Sequence, residues 1–97
     1  MQGQAIFPNS TIELLTLIKG KDSDQQLADK LGVQRPHISI WRKRGRVSAE
    51  GVAKLAELGG YEVGPALALQ AAEGIQDEHY RNKILSKLAT EVSSTGL

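Results

Sequence analysis

The stretch 27-LADKLGVQRPHISIWRKRG-45 decides how this chain folds. Two helical segments flank Gly32-Val33-Gln34, and the positions around that joint each carry a chemistry it needs. Ala28 is small where a second helix must cross closely. Gly32 stands where the turn calls for a positive φ, which glycine adopts without steric cost. Val33 follows as an apolar plug, and Ile38 and Trp41 anchor the next helix on the core. Pro36 falls in that helix's first turn, where its missing N–H leaves no bond unmade. Gly45 ends it. The pattern predicts a helix-turn-helix.

Outside this unit the chain reads as further short helices with no convincing strand. In 9-NSTIELLTLIKG-20, Ser10 with Glu13 is a capping-box pattern, Gly20 is a stop, and Ile12, Leu14, Leu15 and Ile18 form the apolar face. Ser23 with Gln26 repeats the capping pattern ahead of Leu27, Ala28 and Leu31. A fourth helix starts at Ser48 and runs through Val52, Leu55, Ala56 and Leu58 to Gly59-Gly60. A fifth begins near Pro65, and Gly74 with an Asp77 cap separates it from a last helix through Tyr80, Ile84, Leu85, Leu88 and Val92. The expected organisation is an all-α unit: a helix-turn-helix domain over 9–62, a helical extension over 63–92 in the same compact body, and flexible ends at 1–8 and 93–97.

The outward face of the third helix follows from its pitch. At ~100° per residue, Ile38 and Trp41 define a buried direction, and Ser39, Lys43, Pro36 and Ile40 point away from it, with Arg35 at the margin. His37 and Arg42 lie on the flanks. That face mixes cations, a small hydroxyl and compact apolar groups, which suits a major groove. Arginine pairs with guanine, serine donates or accepts, and Ile or Pro touches thymine methyls.

Charge patterning agrees. The 97 residues carry a net charge of only +1, yet residues 19–54 hold nine Lys/Arg against four Asp/Glu, and residues 55–97 hold three against six. The middle of the chain is basic and the C-terminal part acidic, and such asymmetry points to an anionic partner for the middle segment. The acidic end should keep away from phosphates.

The run 27–45 resembles the DNA-binding unit of small phage and prophage repressors of the Cro/repressor class, and the resemblance extends over roughly residues 10–60. It implies a compact five-helix domain with the helix-turn-helix as helices two and three, to which this chain adds a C-terminal helix suited to dimerisation. It also implies base reading by Gln34, Arg35, Pro36, Ser39 and Ile40. Gln25, His37, Arg42, Lys43, Arg44 and Arg46 are then placed for phosphates, which fix position without reading sequence. Two departures stand out. Many relatives carry Gln at the first position of the second helix, touching a phosphate, whereas this chain has Asp24. Many also cap the recognition helix with Ser or Thr, whereas this chain has Gln34.

The function expected is a homodimeric transcriptional regulator that binds double-stranded DNA, most simply a repressor that occupies a palindromic operator and blocks polymerase. Tyr80, Ile84, Leu85, Leu88 and Val92 form the expected dimer seam, with packing onto helices four and five as the alternative. An antirepressor is a further possible partner. Two other readings are an antitoxin whose last helix neutralises a toxin, and an interaction module without DNA activity.

The absence of cysteine excludes disulfides and thiolate metal sites. His37 and His79 are too far apart to suggest a metal pair, and Asp22, Asp24 and Asp29 read as caps and surface. No glycine-rich phosphate loop or catalytic triad is present. No enzyme activity, cofactor or metal is therefore expected. The N-terminus lacks the pattern of a signal peptide, and no apolar run approaches a membrane span. A cytoplasmic, nucleoid-associated protein of a bacterial host cell is expected.

Overall fold

The computed structural model describes residues 7–95, and side chains as far as residue 87. Six helices follow one another: α1 (Thr11–Lys19), α2 (Asp24–Leu31), α3 (Arg35–Arg44), α4 (Ala49–Gly59), α5 (Val63–Glu73) and α6 (Glu78–Thr95). Among the described residues there is no strand.

Local chemistry sets most of these ends. Ser23 and Gln26 form the full reciprocal capping box on α2. On α1 the box is incomplete: the Ser10 hydroxyl accepts from Glu13 N at 3.0 Å, but the Glu13 carboxylate reaches back to Asn9 N. The α2 stop is a Schellman turn. Gly32 takes φ +71°, its N–H donates to Asp29 O, and Val33 N donates to Ala28 O at 3.0 Å. The same closure ends α3, where Gly45 N donates to Arg42 O and Arg46 N to Trp41 O.

Two boundaries differ from expectation. α5 starts at Val63, two residues before Pro65. Pro65 still lies in the first turn, whose N–H groups have no intrahelical acceptor, so the ring costs no bond. α6 continues to Thr95, past Val92, because no glycine or proline interrupts residues 78–95. Two residues of the N-terminal segment expected to be flexible, 1–8, have neighbours in the fold. Phe7 packs edge-on against Tyr61 at 6.1 Å, and Pro8 is buried. Residues 1–6 lie outside the described part.

One core joins α1 to α5: Leu14, Leu15, Leu27, Ala28, Leu31, Ile38, Trp41, Val47, Val52, Leu55, Ala56 and Ala66. Helix α4 is central, packed against α1, α2 and α5, while α6 packs on α5. Leu58 departs from the expected α4 stripe and is 44% exposed. At ~100° per residue it falls well off the direction shared by Val52, Leu55 and Ala56.

Beneath this core runs a polar tie that links distant segments. The Glu73 carboxylate accepts from Thr11 N at 2.8 Å and from the Thr11 hydroxyl at 2.7 Å. The same hydroxyl accepts from Val47 N at 2.9 Å. Glu73 thus places an acid at the N-terminus of α1, where the helix dipole favours it. It closes the α3–α4 connection, α1 and the end of α5 into one body.

Candidate nucleic-acid interface

The orientation of α3 is set from beneath. Ile38 is fully buried and Trp41 is 5% exposed, so the opposite side of the helix must face out. Arg35, Pro36, Ser39, Ile40 and Lys43 lie there and, with Gln25 of α2, line one open depression. Ile40 is 42% exposed, a large apolar side chain left uncovered amid polar neighbours. The structure therefore brings four of the five expected base-reading residues onto a single surface, together with Gln25 and Lys43. Gln34 sits beside it as the N-cap of α3, fully outside the depression.

His37 has a local task at that cap. Its Nδ1 accepts from Gln34 N at 3.3 Å, filling the role that a Ser or Thr cap would leave to an acid. Accepting through Nδ1 leaves the Nε2 proton as the ring's remaining donor. The ring lies 6.4 Å from that of Trp41.

The expected phosphate set divides in three dimensions. Lys43 and Arg44 are exposed and carry no ion pair with a described residue. Arg42 is bound by Asp24 at 2.7 Å. Arg46 turns inward: it donates to Gln70 O at 2.7 Å and lies 3.9 Å from Glu73. A Cβ on Gly74 would stand 2.9 Å from its guanidinium, so α5 ends close over it. Arg46, expected at a phosphate, is thus tied to α5 while its side chain stays 39% exposed. Its acidic partner lies in α5, which pitch and spacing around α3 do not reveal.

The Asp24 carboxyl is held below the usual aspartate range, chiefly by the hydrogen bond from Arg42. Burial opposes this, and the charges of Arg42, Lys19 and Arg35 add to it. Arg42 is raised by the same hydrogen bond. Lys19, at the end of α1, thus belongs with the cations around the entry of α2. Sequence reading missed it because the loop that brings it there separates it from α3.

An outward cationic face on the second helix of a helix-turn-helix, seated on a five-helix core, is the arrangement of a DNA-binding domain. Residues 11–62, more than half the chain, match the family model described as the bacteriophage CI repressor helix-turn-helix domain. The chain belongs to that family. No curated protein and no solved structure matches it. Membership in the CI repressor helix-turn-helix family makes it a DNA-binding regulator of the phage repressor type, a kind that binds rather than catalyses. The match spans α1 to α4 and stops before α5. Among the described residues no His/Asp/Glu group is placed to hold a metal ion, and no helix is long and apolar enough to cross a membrane.

Of the expected dimer seam, Tyr80 is 58% exposed, and Ile84 and Leu85 are partly covered. The side chains of Leu88 and Val92 lie outside the described residues.

Proposed function

We propose that this chain is a sequence-specific repressor that binds a palindromic operator as a dimer and blocks transcription by occupancy. The observation that carries the reading is the single surface formed by Gln25, Arg35, Pro36, Ser39, Ile40 and Lys43. It combines a guanine-pairing side chain, a hydroxyl and apolar contacts for thymine methyls within one helix width. Gln34 adds a polar group at the N-terminal edge. Lys43, Arg44 and His37 supply or support phosphate contacts around it.

Dimerisation is assigned to α6. Tyr80 presents a large ring to solvent, and Ile84 and Leu85 are only partly covered. Two recognition helices then read half-sites about one turn, ~34 Å, apart. Repression is controlled through dimer concentration or an antirepressor-like protein. The site of action is the nucleoid in the cytoplasm of a bacterial host cell.

Selection of binding sites from a random duplex pool, at near-physiological salt, tests this. The expected result is an enriched inverted repeat with half-sites one turn apart. A folded protein that enriches nothing would overturn the reading and turn attention to a protein partner of α6.

A further inference from the structure

Asp24 is the first residue of α2, directly beside Gln25 of the reading surface. It is an acid at the edge of a surface that faces an anion. One carboxylate oxygen accepts from Arg42 Nη1 at 2.7 Å, and the other is buried without a hydrogen-bond partner. Both side chains remain partly open to solvent, 28% for Asp24 and 42% for Arg42. An exposed ion pair of this kind adds little stability. Its effect on charge is larger. It cancels one flanking cation of the recognition helix and leaves Lys43 and Arg44 as the exposed cations at the end of α3.

Phosphate attraction supplies nearly all nonspecific affinity, whereas base contacts supply discrimination. A cation freed on the flank of α3 would strengthen binding to every sequence. It would do so most where no base contact fixes the register and the protein settles for the richest set of phosphates. We propose that Asp24 is a specificity-determining residue that holds Arg42 back from the DNA backbone and so suppresses binding to unrelated sequence. This rests on the DNA reading above.

The test compares the wild-type protein, Asp24→Asn, Arg42→Gln and the double variant on two duplexes: the site enriched from the random pool and a scrambled duplex of equal length. Glu57→Gln is the charge control, since Glu57 is exposed on α4 and lines no part of the reading surface. Asp24→Asn should steepen the salt dependence on the scrambled duplex by about 0.9 in log–log slope, one added phosphate contact. That amounts to an extra three- to fourfold loss of affinity between about 50 and about 200 mM salt. The preference for the selected site should fall about threefold, by the same argument. The double variant should return to the wild-type slope, and Glu57→Gln should leave it unchanged.

An Asp24→Asn protein that melts earlier and binds both duplexes more weakly, with the slope unchanged, would overturn the proposal and make Asp24 a structural residue only. Asp24→Ser removes the same charge and serves if the asparagine variant does not fold. Failure of the wild-type protein to bind either duplex would remove the DNA reading and this proposal together. Wild-type binding with an unmoved Asp24→Asn slope removes this proposal alone.

Discussion

Trp41 occupies the space that a side chain on Gly51 would need: a Cβ there would stand 2.6 Å from Cζ2 and 2.8 Å from Cη2 of the indole. A third neighbour, Val47 Cγ1, is 2.8 Å away. The chain's only Trp thus seats α3 on α4 through the absence of a side chain. Gly51→Ala gains about 1 kcal/mol of helix propensity. It must also displace a buried ring, at ~1–3 kcal/mol. Urea unfolding should show net destabilisation together with a shifted Trp41 fluorescence. Equal or higher stability with unchanged fluorescence would mean that the ring moves freely.

The Thr11–Glu73 pair makes a second prediction about the fold. Glu73→Gln replaces one acceptor oxygen by a donor, so one of the two Thr11 groups loses its partner beside a buried side chain. The expected cost is ~1–3 kcal/mol in urea unfolding. Thr11→Val should cost less in the Glu73→Gln background than in the wild type, because both act on one network. Strict additivity would show that the two residues do not share it.

The Asp24–Arg42 pair has a pH signature. A carboxyl depressed on folding contributes stability above its ordinary value of 3.8, and that contribution is lost as pH falls through the lower folded value. The melting temperature of wild type minus that of Asp24→Asn should therefore be constant near neutrality and shrink only below about pH 4. Shrinkage at higher pH would show that the ion pair is not formed in solution.

Two arginines on α3 should separate by what they read. Arg35→Ala should relax preference at one base pair of the operator and cost ~1–3 kcal/mol there. Arg44→Ala should weaken all duplexes alike and flatten the salt slope by about one unit. Equal effects of both on scrambled DNA, with no change in base preference, would show that α3 is docked in a different register.

For the dimer, Tyr80→Asp places a charge at the most exposed large apolar position of the described chain. Mass in solution should move toward the monomer, and occupancy of a full palindrome should fall more than that of a half-site. An unchanged mass would place the dimer contact elsewhere than α6.

Helix ends, the turn and the core side of α3 were legible in the sequence. Their signals are local: Ser23 with Gln26, Gly32 before Val33, and Ile38 with Trp41 all act within one or two turns of chain. Spacing also placed Arg35, Pro36, Ser39, Ile40 and Lys43 on the side away from the core, since a fixed pitch and two buried anchors determine the rest of the wheel.

Only the tertiary structure decided which charges remain open to a partner. Five cations crowd residues 35–46, and helix pitch gives their directions without showing which of them meet an acid of another helix. Arg42 is claimed by an acid at the start of α2, and Arg46 by a carbonyl and an acid of α5. The Glu73 tie to Thr11 spans 62 positions, and the space that Gly51 leaves for Trp41 exists only once α3 and α4 are packed. Helix caps and amphipathic faces are encoded in neighbouring residues because backbone hydrogen bonds close within four positions. Ion pairs and close approaches join residues that chain distance leaves unrelated, so they are fixed only when the helices come together.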